Sequence, residues 1–247
     1  MELKKEQRER YARQIAIDEV GQDGQKRLAR ARVLVVGGGG LGSPVAYYLV
    51  AAGIGCLGLV DDDVVSLSNL NRQILHNSHD LGRPKVESAR EKLGKLNPEV
   101  ELRIYQERFT PVNAGEIVRH FDCLVDATDN LETRQLLNQL SFEHKIPFFH
   151  GGVSHFYGQV MTVIPGQGPC WQCFVGGGAM ESGSGGIPVL GPVAGAVGSL
   201  QALQVLKYCL GIGDLLVGKV LVFDGITLSL DEVTVARDPS CPICGDH

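Results

Sequence analysis

Six residues, Gly37-Gly-Gly-Gly-Leu-Gly42, constrain this chain more than any other segment. An apolar run of buried-strand type, Arg32-Val-Leu-Val-Val-Gly37, leads into them, and Ser43-Pro44 follows. Ser43 reads as a helix N-cap and Pro44 as a first helical residue, with the helix running to Ala52. A chain that turns from a strand into a helix over so few residues needs glycine where the backbone bends and where it must approach another group. Gly37, Gly39 and Gly42 fit the spacing G-x-G-x-x-G, which places free helix N–H groups against an anion. A second strand, Cys56 to Val60, completes a β-loop-α-β unit and ends in Asp61-Asp-Asp63. Asp61 lies 19 residues past Gly42, where a carboxylate can accept hydrogen bonds from ribose hydroxyls.

The rest of the chain continues the alternation. Residues 1–30 read as charged helices with apolar positions at Ile15, Ile17, Val20 and Leu28. Residues 84–94 read as helix, 100–105 as strand, 122–126 as buried strand, 131–143 as helix and 146–150 as strand. Strands at 158–164, 219–223 and 228–235 follow, with an apolar helix at 192–210 and a Gly/Ser-rich stretch at 176–186 read as a mobile loop. The expectation is a Rossmann-like α/β fold. Its mostly parallel twisted sheet carries helices on both faces, and antiparallel strands and a four-cysteine zinc staple extend it. No linker or repeat separates two units, so 1–247 reads as one domain. It comprises N-terminal helices (1–30), a nucleotide-binding half (31–150) and a cysteine-bearing half (151–247).

The glycine loop does not choose the nucleotide, because NAD and ATP both satisfy it. Ser68-Asn-Leu-Asn-Arg-Gln73 and Arg83-Pro-Lys85 bring two cations, Arg72 and Lys85, soon after the ribose acid. Triphosphate chemistry needs cations on the phosphates, although residue type alone reads each of these as a solvated surface charge. Asp126 and Asp129 end an apolar strand, in the crevice where open α/β sheets hold ligands. There a carboxylate either holds Mg²⁺ or, for Asp129 or Asn130, caps the next helix.

Cys170-Trp-Gln-Cys173 and Cys241-Pro-Ile-Cys244 form two CxxC knuckles with 67 residues between them, a donor set suited to closed tetrahedral zinc. Cys56, Cys123 and Cys209 sit in apolar segments and read as small buried hydrophobes. His76, His79, His150 and His155 lack ligand spacing and read as structural or surface residues. A net charge of −5 gives no support for nucleic-acid or membrane binding. The charged N-terminus has no signal-type apolar core, and the apolar stretch at 189–210 is interrupted by Gly, Pro, Gln and Lys, so a cytoplasmic location is expected.

Taken in order, Arg10-Tyr-Ala-Arg-Gln14, the glycine loop, Asp61-Asp-Asp63, Ser68-Asn-Leu-Asn-Arg-Gln73, Arg83-Pro-Lys85, Ala127-Thr-Asp-Asn130 and the two CxxC pairs resemble the ThiF/MoeB/HesA family over nearly the whole chain. The resemblance implies an ATP-dependent adenylyltransferase that acts on the C-terminal Gly-Gly carboxylate of a ubiquitin-like sulfur carrier of ThiS or MoaD type. It implies Gly40 and its neighbours against ATP and Asp61 on ribose. Asn69, Arg72 and Lys85 would lie on the phosphates and Asp129 on Mg²⁺. Asp63, Ser68, Gln73, Thr128 and Asn130 belong to the same nucleotide-binding motifs. It further implies Arg13 reaching the partner subunit's ATP in a homodimer. Many members carry a loop cysteine before the apolar helix; Ser184 stands there here, so covalent sulfur relay is not expected and a separate sulfur donor is. Three residues follow Cys244, and no appended sulfurtransferase domain is expected. Thiamin and molybdenum-cofactor synthesis both remain open as pathways. Two other classes stand beside this reading. An NAD-dependent oxidoreductase would leave Arg72 and Lys85 unused. A non-catalytic carrier-binding module is motivated by the missing cysteine.

Overall fold

The computed structural model describes residues 2–176 and 187–246. The Gly/Ser-rich stretch from 177 on, including Ser184, lies outside them. One eight-stranded sheet runs through the described residues. Its strands are β1 (Arg32–Val36), β2 (Cys56–Val60), β3 (Glu101–Tyr105), β4 (Cys123–Asp126), β5 (Phe148–Ser154), β6 (Tyr157–Val163), β7 (Lys219–Asp224) and β8 (Ser229–Thr234). Their spatial order is β3-β2-β1-β4-β5-β6-β7-β8. The first five pair in parallel, and β6, β7 and β8 are added antiparallel. Chain order reverses between β1 and β4, which opens the crevice at their C-terminal ends.

Both sheet faces are covered, and the alternation along β1 shows how. Val33 and Val35 enter one core with residues of α4 (Gly42–Ala52), α5 (Lys85–Leu96) and α9 (Gly191–Leu210). Leu34 and Val36 enter the other, with α6 (Ala114–Val118), α7 (Leu131–His144), α8 (Trp171–Val175) and the cysteines of both knuckles. Strands buried on two faces read as unbroken apolar runs, as Val33 to Val36 does. Helix α9 has the length and apolarity of a membrane span, yet half of it is buried. Val197, Ala202 and Val205 pack into the first core with Val45 and Leu49 of α4. A buried amide secures it: Gln201 Nε2 donates to the carbonyls of Asp126 and Phe149 at 2.6 and 2.9 Å.

The N-terminal helices α1 (Lys5–Arg10), α2 (Ala12–Ile15) and α3 (Gly21–Leu28) close the far end of α4. Gln14 Nε2 donates to the Ala52 carbonyl at 3.1 Å, and Asn97 Nδ2 donates to Tyr11 Oη at 2.8 Å. The expected elements appear with shifted ends. The helix after the glycine loop starts at Gly42 with Leu41 as its cap. Ser43 is therefore not the N-cap, and Pro44 is not the first helical residue. Ser43 Oγ instead donates back to the Gly39 carbonyl at 2.7 Å, inside the first turn. The short helices α6 and α8 carry too few residues for a periodic signal and were not expected from the sequence.

Candidate active site

The crevice holds a cavity of about 630 Å³. Of the residues singled out from the sequence, Gly37, Gly39, Gly40, Asp61, Asp63, Arg72, Gln73, Lys85, Thr128, Asp129 and Asn130 line it. Gly42, Ser68, Asn69 and Arg13 do not.

Four of the five glycines in the loop divide into two kinds. Gly37 has φ +101°, and a β-carbon there would lie 2.5 Å from the Ala127 carbonyl oxygen. A β-carbon on Gly42 would lie 1.9 Å from the Gly37 carbonyl oxygen. These two are required by the fold. At Gly39 and Gly40 the nearest atoms to a β-carbon are 3.6 and 3.4 Å away, so the protein itself leaves room. Their bareness leaves space on the cavity wall.

Asp61 leaves the end of β2 and turns back onto this loop. Its carboxylate accepts the Gly38 N–H at 2.7 Å and the Asp63 N–H at 2.9 Å. Burial pushes its pKa up, opposed by the Lys85 charge. Lys85 is not the solvated cation that its residue type suggests: it is 4% exposed. Its Nζ donates to Asp63 Oδ2 at 2.7 Å and stands 3.8 Å from Asp61 Oδ1. A buried ammonium persists only where carboxylates compensate it.

Ser68 and Asn69 build the turn that presents Arg72. Asn69 Oδ1 accepts the Ser66 N–H at 3.1 Å, and the Ser68 carbonyl accepts from Arg72 Nη1 at 2.9 Å. Arg72 lays its methylenes against Gly40 and has no acidic partner among the described residues. Gln73 is buried beside Gly39, and its Oε1 has no hydrogen-bond partner among the described residues. An orphaned buried acceptor on a cavity wall suits a ligand donor.

At the acidic strand end the geometry assigns the helix cap. Asn130 is the cap: its Oδ1 accepts the Thr133 N–H at 2.9 Å. Asp129 is exposed on the cavity wall with no ion pair among the described residues. Asp126 is wholly committed: it takes Arg134 Nε at 2.8 Å, His150 Nδ1 at 2.7 Å and Thr128 Oγ1 at 2.6 Å. Burial acts to raise its pKa, but Arg134 and His150 outweigh it and hold the carboxyl near 2. Asp129, and not Asp126, is therefore the carboxylate free to hold a cation.

Two histidines support the site without entering it. The Gly38 carbonyl can only accept, so the proton of the neutral His76 ring sits on Nε2 and its Nδ1 accepts from the Ser88 hydroxyl at 2.8 Å. His76 Nε2–H is then the group that faces the Gly38 carbonyl at 3.3 Å. The Gly38 peptide is thus held on both sides, by Asp61 and by His76. Burial pushes the His76 pKa down to about 4. His150 donates from Nδ1 to Asp126 and accepts from Gln159 Nε2 at 3.1 Å. Gln159, Arg134, Tyr157, Arg108 and Phe109 also line the cavity and were not singled out from the sequence. Their positions follow from the β5–β6 pairing and from the segment after β3, which no local motif marks.

The four cysteine sulfurs of the CxxC pairs lie within 4.8 Å of one another. Cys170–Cys241 and Cys173–Cys244 approach to 3.6 and 3.3 Å. The sulfur–sulfur edge of a tetrahedral zinc–thiolate site is about 3.8 Å, so the donor set and spacing fit zinc. The Asp238 N–H points at Cys173 Sγ at 3.5 Å, a stabilising contact for a thiolate. Cys56 and Cys123 are buried as expected, and Cys209 is half-buried with its sulfur 4.0 Å from that of Cys123. Arg13 lies on exposed α2, beyond the Ala52 end of α4. Helix α4 has 11 residues, so about 16 Å separates that end from the glycine loop.

Comparison with known proteins places this arrangement. The ThiF family profile matches residues 11–243. The sulfur carrier protein adenylyltransferase of Thermus thermophilus is 43% identical, the match covering 100% of this chain and 94% of that protein. The SAMP-activating enzyme E1 of Haloferax volcanii is also 43% identical, over 97% of this chain and 90% of its own length. The adenylyltransferase and sulfurtransferase MOCS3 of Drosophila persimilis is 40% identical over 95% of this chain, which spans 53% of that longer protein. Among solved structures, E. coli MccB with ATP superposes with a TM-score of 0.85, covering 96% of this chain and 75% of that one at 23% identity, a likeness of fold.

Proposed function

The chain belongs to the ThiF family, and from that premise we propose that it is a nucleotidyltransferase that adenylylates the C-terminal carboxylate of a ubiquitin-like sulfur-carrier protein. The observation that carries this reading is Lys85: a buried ammonium on the wall of a glycine-lined cavity, across which Arg72 offers a second cation. Such a site is made for a polyphosphate.

In this reading Asp61 takes the ribose and Gly39 and Gly40 admit the phosphates. Lys85 and Arg72 neutralise them. Asp129 would hold Mg²⁺, which when bound supplies charge neutralisation on the phosphates. A carboxylate oxygen of the carrier forms a bond to the α-phosphorus, the bond from that phosphorus to the bridging oxygen breaks, and pyrophosphate leaves. The product is a carrier acyl-adenylate. Positioning and charge suffice, and no protein nucleophile is required. With Ser184 at the loop position, the reaction ends there, and a separate donor supplies sulfur for a thiamin or molybdenum-cofactor pathway.

Zinc on Cys170, Cys173, Cys241 and Cys244 would pin the C-terminal tail to α8 and the sheet. Residues 1–247 act as one domain, with 31–150 binding nucleotide and 151–247 meeting the carrier. The chain works as a homodimer in the cytoplasm. Arg13 supports this assembly, because α2 lies at the opposite end of α4 from its own glycine loop and so serves the partner's site.

The test is carrier-dependent exchange of labelled pyrophosphate into ATP, using the small Gly-Gly-tailed proteins of the host. Exchange is expected with one of them and is lost in Asp129→Ala. Absence of exchange with every such protein, or thermal protection by NAD in place of ATP and Mg²⁺, would refute it.

A further inference from the structure

A buried chain of contacts runs from the four-cysteine cluster to the cavity wall. Trp171 stands between Cys170 and Cys173 and is fully buried. Its backbone N–H donates to Asn138 Oδ1 of α7 at 3.1 Å. One turn earlier on that helix, the Arg134 guanidinium carbon lies 5.8 Å from the centroid of the indole, in cation–π range. His150 packs on the same indole, with centroids 5.8 Å apart. Arg134 and His150 then converge on one atom, Asp126 Oδ2, at 2.8 and 2.7 Å. Arg134 Nη2 also donates to the Thr128 carbonyl at 2.7 Å. Thr128 immediately precedes Asp129, whose own side chain has no ion pair among the described residues to hold it. The direction of the Asp129 carboxylate therefore depends on the Thr128 peptide, and that peptide depends on Arg134.

We infer that Arg134 is a positioning residue that couples the metal-binding cysteine cluster to the nucleotide site, through Trp171 on one side and the Thr128 carbonyl on the other. The inference rests on the adenylylation reading above and adds to it that the cluster is not only a staple for the tail. Loading of the four cysteines fixes the indole between Cys170 and Cys173. The indole fixes the guanidinium fork, and the fork aims Asp129. The bare alternative is a buried ion pair that stabilises the fold, in which case zinc and nucleotide bind independently.

Coupling between two ligands is reciprocal, so each must tighten the other by the same factor. A group that orients a metal ligand from behind is worth about tenfold or more in affinity. The experiment measures zinc affinity of the full chain by competition with a chromogenic chelator, with and without ATP saturated by Mg²⁺. Emission from Trp171, the single tryptophan of the chain, is followed in the same samples. For the wild type we expect zinc affinity about tenfold higher with ATP, and an emission change that saturates with ATP. In Arg134→Lys, one ammonium cannot span both Asp126 and the Thr128 carbonyl. That variant should retain zinc and melt cooperatively, yet lose both the tenfold factor and the emission change. Trp171→Phe should retain zinc and lose the factor.

Equal zinc affinity with and without bound ATP in the wild type overturns the inference, even where neither variant folds. An Arg134→Lys protein that keeps the full factor overturns the role of Arg134. A wild-type chain that binds no ATP overturns the adenylylation reading and this one with it.

Discussion

The two kinds of glycine in the loop make opposite predictions for one substitution. At Gly42 an alanine β-carbon meets the Gly37 carbonyl oxygen at 1.9 Å and its carbon at 2.9 Å. Gly37 cannot retreat, because its own φ is +101° and the Ala127 carbonyl lies behind it. Backbone jammed against backbone costs at the upper end of overpacking, about 3 kcal/mol. For a chain of this length each kcal/mol is worth about 2–4 °C, so Gly42→Ala should melt roughly 6–12 °C below the wild type. At Gly40 the β-carbon finds Ala194 at 3.4 Å and the Arg72 methylenes at 3.6 and 3.7 Å, which are ordinary contacts. Gly40→Ala should therefore keep its stability to within about 1 kcal/mol.

What Gly40→Ala loses is room for phosphate. If its methyl removes one charge-assisted hydrogen bond, affinity falls by about 1.5–3 kcal/mol, or roughly 10–150-fold. The assay is thermal melting with ATP and Mg²⁺ at about 100 times the wild-type Kd, where binding contributes about 2.7 kcal/mol to the wild type. A hundredfold weaker variant would gain only about 0.4 kcal/mol, so a ligand shift of roughly 5–11 °C shrinks to about 1–2 °C. A Gly40→Ala protein that melts as low as Gly42→Ala, or that keeps the whole nucleotide shift, refutes the division of the loop.

Three further outcomes follow from named contacts. His76 is held neutral by a pKa near 4, below its unfolded value of 6.5. The unfolded chain then binds the extra proton between those values, and stability falls as pH drops through 6.5 toward 4, by about 2 kcal/mol at pH 5. Urea unfolding at pH 8 and pH 5 should show this loss in the wild type, with that much less of it in His76→Phe. His76→Phe should already be weaker at pH 8 by about 1–3 kcal/mol, for the unpaired Gly38 carbonyl. Lys85→Met should lower the ATP-free melting temperature, because the buried Asp61 carboxylate loses its cation, and should lower pyrophosphate exchange about a hundredfold or more, measured at saturating carrier on the folded protein. Cys241→Ser should abolish zinc binding by atomic absorption and lower unfolding free energy by at least about 3 kcal/mol in denaturant melts.

Much of this architecture was legible because it is local. The glycine loop between an apolar strand and a helix, the acid at the end of the next strand and the paired CxxC knuckles each lie within one short segment. Those segments came together as their chemistry required. What the sequence concealed was depth and partnership across elements. Lys85 reads as a surface charge because lysine usually is one. Only the packing of α5 against β3 and α4 buries it against Asp61 and Asp63. Asp126 and Asp129 are three residues apart and equal in type. They differ because β4 delivers Asp126 to Arg134 and His150, while Asp129 stands past the strand end. The pairing of His150 with Gln159 depends on the register of β5 against β6, which no spacing rule predicts.

The charges of the ligand-free site explain why a metal–nucleotide complex suits it better than a dinucleotide. Lys85 is already compensated by Asp63 at 2.7 Å, whereas Arg72 and Asp129 have no ion-pair partner among the described residues. Arg72 and the carboxylates of Asp129, Asp62 and Glu107 therefore line the same cavity without an ion pair among the described residues. A bare pyrophosphate would satisfy Arg72 and be repelled by Asp129, and burying it beside an unpaired carboxylate is costly. Under the proposed function, a triphosphate that arrives with Mg²⁺ would present both signs, with Arg72 available to the phosphates and Asp129 to the cation. The acid that a dinucleotide site would have to exclude would then be the group that holds the ligand's metal. On this electrostatic ground, the reading as an adenylyltransferase outweighs the one as an NAD-dependent oxidoreductase.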